Sequence, residues 1–311
     1  MKQDIHADTA AISQDRYEHL WRVAPWLFVL LWAGGYSFAK LGLAYIEPMT
    51  LLALRYGIAV ALLVPLMWLL KAALPVNRQH WLALIVTGFL IQSVYFGLAY
   101  LAMKDGMGAG TTALILSLQP ILVAFLAPLL VGERITRLFW LGLLLGFGGT
   151  LIVVFANYTI EAVSLFAVSM AVCALAGITT ATLFEKRYGQ KTHPVTNAFV
   201  QYCVGFITLL PVALWLEEQT VIWHHELFIA LAYLVIGNSL IAISLLIGLI
   251  RRGAASKVSA LFYLVPPLAV LLAWVILGEV MPPLSWLGFV FCVAGIIAVN
   301  RSGTDSDKTQ R

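Results

Sequence analysis

The chain has 311 residues, of which 61% are hydrophobic and 11% charged, with a formal net charge of +4 and a mean hydropathy of +0.93. A soluble domain carries about 25% charged residues, so a water-exposed globule is excluded and the solvent has to be lipid. The positive balance does not make a nucleic-acid binder, because the charges sit in short gaps between apolar runs and form no basic patch.

A bilayer core about 30 Å thick takes roughly 20 apolar residues of helix. Residues 1–23 form a polar segment, expected to be a mobile cytoplasmic tail, with no cleavable leader because the apolar run that follows is too long for one. Ten runs follow in chain order. The first five are Ala24 to Ile46, Met49 to Leu70, Trp81 to Ala102, Gly108 to Val131 and Leu138 to Phe155. The second five are Ala162 to Phe184, Val195 to Leu216, Leu227 to Ile250, Ala254 to Leu277 and Leu284 to Asn300. None shows the period-two alternation of a barrel strand, so each reads as a helix. Residues 301–311 are a second polar tail.

Lys and Arg set the orientation. With the N-terminus inside, 16 of the 19 basic residues fall on cytoplasmic segments and only Lys104 on an outer loop, while Lys40 and Arg55 lie within helices. Both termini are therefore expected in the cytoplasm.

The halves repeat at a constant offset of 146 positions. Pro48 falls on Pro194, Tyr56 on Tyr202, Pro65 on Pro211, Gln92 and Ser93 on Asn238 and Ser239, and Pro120 on Pro266. Gly132 and Glu133 fall on Gly278 and Glu279, and Trp140, Leu141 and Gly142 on Trp286, Leu287 and Gly288. Shared apolar residues arise by composition, but shared Pro, Trp, Gly and Glu at one offset do not. Five helices is an odd number, so the second copy enters from the opposite side. The sequence thus predicts an all-α membrane protein of ten transmembrane helices in two inverted five-helix repeats, 24–155 and 162–300, with a substrate site near the midplane between them.

The stretches WAGGYSFAK (Trp32 to Lys40), Glu47 to Met67, Ala109 to Thr136 and its second copy Ala254 to Met281 resemble the drug/metabolite transporter superfamily, EamA type. The resemblance covers nearly all of the chain outside the tails. It implies a ten-helix exporter of small metabolites, amino acids or related compounds, in a cell (inner) membrane, and it does not name the substrate.

Candidate transport residues follow from cost. A cation in a span costs about 2.5–3.5 kcal/mol on insertion scales, so Lys40 and Arg55 either escape it (Lys40 by snorkelling, Arg55 by a structural ion pair or carbonyl contacts) or meet a substrate anion. Gln92, Ser93, Asn238 and Ser239 form a polar pair in each half, either bonded between helices or lining a cavity. Pro120 and Pro266, read as lying mid-helix, each free a carbonyl, with Ser117, Gln119 and Tyr263 beside them. Trp32, Tyr36 and Tyr95 either pack or stack on substrate. Gly34 and Gly35 serve as a hinge or close approach, and Gly142 with Gly146 makes a GxxxG for packing or dimerisation. Glu133 and Glu279 read as solvated helix-end carboxylates or local ion pairs, the first with Arg134 and Arg137 near.

No Asp, Glu or His falls in the core of a span on these boundaries, which favours a uniporter or exchanger, or coupling through Lys40, over carboxylate-coupled transport. The histidines are scattered, nothing is seen to complete a site around His224 and His225, and no P-loop is present. Expected partners are a small-molecule substrate and lipid, with a homodimer left open; no cofactor, metal or nucleic acid is expected. A channel or non-transporting scaffold, and more remotely a membrane enzyme, are the competing readings.

Overall fold

The computed structural model describes residues 2–107, 112, 115–156, 164–189, 192–218, 220–253, 255–277 and 282–302. Its helices are α1 (Lys2–Leu43), α2 (Pro48–Leu69), α3 (Arg78–Lys104), α4 (Gln119–Leu130) and α5 (Arg137–Ala156). They continue as α6 (Leu165–Tyr188), α7 (Pro194–Leu216), α8 (His225–Arg252), α9 (Ala255–Ala260, a tighter turn Leu261–Leu264, then Val265–Leu277) and α10 (Pro283–Arg301). No strand occurs among the described residues. Seven stretches are long and apolar enough to cross a bilayer, those of α1 from Val23, α2, α3, α6, α7, α8 and α10; α4, α5 and the first part of α9 give shorter apolar helices.

Local chemistry sets the ends. Pro48, Pro194 and Pro283 open their helices, where the missing N–H has no intrahelical partner to lose. Asn77 accepts from the amide of Gln79 at 3.0 Å to start α3, and Ser164 accepts from that of Ala167 at 2.9 Å to start α6. The perimeter is apolar: Trp68, Leu129, Leu165, Trp215 and Leu216 all stand strongly exposed, the surface that lipid tails cover.

The halves meet along several helix pairs, two of them most closely. α5 and α10 run antiparallel, backbone on backbone. A Cβ on Gly142 would lie 2.7 Å from the carbonyl oxygen of Gly295, and one on Gly288 would lie 2.6 Å from that of Gly149. α2 packs on α7, with the buried rings of Tyr56 and Tyr202 5.4 Å apart. Around these, α1 lies against α8 and α9, and α3 against α6 and α7.

Several expectations are corrected. The N-terminal segment is helical and continuous with the first span: α1 runs from Lys2 through Pro25, and its apolar stretch begins at Val23. Pro120 and Pro266 do not stand in the middle of regular α-helix. Pro120 stands in the first turn of α4, after a break at 117–118, where a proline costs no hydrogen bond, and Pro266 closely follows the tighter turn Leu261–Leu264 within α9. Of the two roles open to the GxxxG, packing is the one seen: Gly142 and Gly146 face α10 and Tyr263 within the chain. Glu133 is buried and accepts from the amides of Ala255 (2.6 Å) and Ser256 (3.2 Å) and the Ser256 hydroxyl (2.6 Å). It caps α9 instead of facing solvent, because a carboxylate suits the positive end of a helix. Its counterpart Glu279 lies outside the described residues.

Candidate functional site

The site is built where α3 and α8 widen. Over Phe89–Tyr95 and Tyr233–Ala242 the bonding lengthens to the π pattern, which strands carbonyls and is frequent at functional sites. Each wide turn carries one of the polar pairs. The Tyr56 hydroxyl donates to the carbonyl of Gln92 at 2.9 Å, and the Tyr202 hydroxyl to that of Ser239 at 2.5 Å. A tyrosine from each half thus serves a carbonyl in its own half. Gly34 and Gly35 let α1 approach the wide turn of α8: side chains there would collide with Tyr233 and Asn238. Their role in this structure is close approach.

Arg55 lies across this junction, fully buried. Its Nε donates to Ser239 Oγ and its Nη2 to Asn238 Oδ1, both at 2.6 Å. The guanidinium carbon is 4.6 Å from the centre of the Phe96 ring. Nη1 has no partner, and among the described residues no carboxylate pairs with the arginine. A buried ion left without a counter-charge costs several kcal/mol. The residue at the repeat-related position is Gln201, so the cation belongs to one half only.

Beside Arg55 is a cavity walled by Trp32, Tyr36, Tyr95, Phe96 and Tyr100, with Asn238 at its edge. Trp32 stacks on Tyr95 with centroids 6.1 Å apart and meets Phe262, from the break in α9, edge-on at 5.4 Å. The Tyr36 and Tyr95 hydroxyls are bonded to each other at 3.1 Å. The free space is about one water in size, so a larger guest has to part these walls.

Of the residues singled out by sequence, Trp32, Gly34, Gly35, Tyr36, Arg55, Tyr95, Asn238 and Ser239 come together here. Lys40 is exposed and does not line the cavity. Ser93 bonds Thr208 at 2.5 Å, while the Gln92 amide is buried without a partner. Gln119 donates to Thr182 (3.2 Å) and Ser259 (3.4 Å). Tyr263 packs with Phe139, Leu143 and Val299 in a different cluster, and Ser117 is buried away from this cavity. Phe96 and Tyr100 were missed. With Tyr95, Ala99 and Met103 they recur along one helical face, a spacing legible in the sequence.

Carboxylates tie the helices at both ends of α3. At its start Glu185, buried in α6, accepts from Arg251 Nε at 2.5 Å and Thr87 Oγ1 at 3.2 Å. Glu185 lies just beyond the expected end of this span, because α6 continues one turn past Phe184, and Arg251 compensates the charge. At the far end Glu47 pairs with Lys104, and Glu217 accepts from the amides of Met49 (2.7 Å) and Thr50 (2.8 Å). His224, His225 and Glu226 place three donor groups within 4.8 Å of one another, so Glu226 joins the two histidines. It also accepts from the Tyr45 hydroxyl, a bond that raises the Tyr45 pKa above its ordinary value.

The profile of the EamA-like transporter family matches residues 23–155 and again 165–301. The uncharacterized transporter YvbV of Bacillus subtilis is 25% identical over 88% of both chains. A probable amino-acid metabolite efflux pump of Salmonella typhimurium is 24% identical, covering 87% of this chain and 91% of its own. The uncharacterized inner membrane transporter YedA of Escherichia coli is 23% identical over 91% and 92%. A solved structure titled "Crystal structure of protein" superposes with a TM-score of 0.76 over 89% of this chain and 96% of its own, at 19% identity, a likeness of fold.

Proposed function

The chain belongs to the EamA-like transporter family and is a multi-pass membrane protein, and on that premise we propose that it is a secondary exporter of small metabolites. It works by alternating access between two inverted five-helix units in a ten-helix chain with both termini cytoplasmic. The reciprocal glycine contacts of α5 and α10 support the inversion, since Gly142 on Gly295 becomes Gly288 on Gly149 when the halves are exchanged. The wide turns and helix breaks recurring at the repeat offset support it too. The alternation of Lys and Arg supports the orientation. The name of the Salmonella relative supports amino-acid metabolites or related compounds as cargo.

One observation carries the reading: a buried arginine without a counter-ion, beside an aromatic cavity at the wide turns of α3 and α8. An incoming anionic group supplies the missing charge, and its body displaces the Tyr36–Tyr95 contact. The broken helices α4 and α9 are the segments that re-form as access switches, in the manner of transporters whose sites lie at interrupted helices.

Counterflow in proteoliposomes tests this. A carrier accumulates labelled substrate when preloaded with unlabelled substrate; passive flux with no such acceleration refutes the carrier and favours a channel. Arg55→Met is expected to abolish accumulation and Lys40→Met to preserve it.

A further inference from the structure

Resting on the exporter reading, the geometry points to the class of its cargo: we propose a monocarboxylate with a compact, flat apolar body and no ammonium group.

The charges come first. Arg55 touches the cavity wall from behind, bonding Asn238 and facing the Phe96 ring, and among the described residues no Asp or Glu lines the space. A single negative charge restores neutrality. A dianion would exceed it, because the related position in the other half is an uncharged glutamine. A cation would be repelled.

A zwitterion is the closer contest. Its carboxylate would meet Arg55, but its ammonium, one carbon away, would then face the same cation and find no carboxylate. The aromatic walls offer it a cation–π contact worth about 0.5–2 kcal/mol. That falls short of the several kcal/mol lost when an ion leaves water without a partner. Phe96, moreover, already faces the guanidinium.

The hydrogen-bond inventory fits one carboxylate. Nε and Nη2 are taken by Ser239 and Asn238, while Nη1 is buried and unused. The Tyr36 and Tyr95 hydroxyls are bonded to each other, and once a guest parts them a hydroxyl proton is free to donate to it. One oxygen can thus take Nη1 and the other a tyrosine hydroxyl. Stacked rings admit a flat body more readily than a branched one.

Binding to the purified full-length protein, by titration calorimetry, compares four probes sharing one ring: 3-phenylpropionate, L-phenylalanine, phenethylamine and phenylsuccinate. The first two differ only in the ammonium group. The expected result is 3-phenylpropionate about tenfold or more tighter than L-phenylalanine, the other two weaker still, and this preference lost in Arg55→Gln but partly kept in Arg55→Lys. The thermal unfolding of each variant, taken alongside, shows that it is folded. L-Phenylalanine binding as tightly as 3-phenylpropionate overturns the cargo class and leaves the exporter standing. Preference for 3-phenylpropionate persisting in a folded Arg55→Gln overturns it as well. So does failure of all four to bind in the millimolar range, and the exporter is then decided by counterflow alone.

Discussion

Replacing Gly149 by alanine puts a methyl group where another backbone already lies. The new Cβ would be 2.5 Å from the carbonyl oxygen of Gly288, 2.7 Å from the amide nitrogen of Cys292 and 2.8 Å from its sulfur. Two of the three are backbone atoms, which no rotamer change can move. Relief requires α5 and α10 to separate by about 1 Å, and overpacking of this kind costs about 1–3 kcal/mol. The adjacent Gly148 is the control, because a Cβ there meets nothing within 4 Å. Gly148→Ala should be neutral or gain up to about 1 kcal/mol in helix propensity. Cys292 is buried whereas Cys173 is exposed and Cys203 half-buried, so with Cys173 and Cys203 changed to serine, maleimide labelling reports the seam directly. Gly149→Ala should label Cys292 faster and unfold a few degrees lower than Gly148→Ala. Equal labelling and equal melting in the two variants would show that the helices are not packed backbone to backbone.

Removing one partner of the buried Glu185–Arg251 pair, as Glu185→Ala, should cost about 3–5 kcal/mol because it strands the other charge; Glu185→Gln with Arg251→Gln should recover much of this, read as thermal unfolding in detergent. Glu217→Ala should lose about 0.5–2 kcal/mol through the uncapped start of α2, measured the same way. The Tyr45 hydroxyl, donating to Glu226, has a raised pKa. Its contribution is therefore complete below the unfolded value near 10 and is lost as pH rises through the folded value. Ultraviolet titration of wild type minus Tyr45→Phe should show one phenol ionising above the ordinary range; a difference curve centred at or below 10 would refute the bond.

Much of this was readable in the chain. Apolar runs marked helices because lipid leaves no other use for them, and a shared offset in rare residue types marked the duplicated halves. Arg55 stood out because a cation in hydrocarbon is costly. The rest depended on distant partners. Glu133 reads as a surface residue until the start of α9, 122 positions away, is beside it. Glu185 was missed because a helix boundary drawn one turn short turns a buried carboxylate into a loop residue. Lys40 and Arg55 look equivalent on a line, yet one is exposed and the other enclosed. The wide turns left no sequence mark, since what steadies each of them is a tyrosine from another helix.

A turn closed by bonds five residues apart holds one residue more than an ordinary turn. The offset between the halves is 146 positions both before the wide turns, at Tyr56 and Tyr202, and after them, at Gly142 and Gly288. Had either half acquired its extra residue alone, the offset would change by one between those points. The two halves thus keep one sequence register through their wide turns, so a residue added or lost in one turn alone would put its polar pair out of step with the pair in the other half.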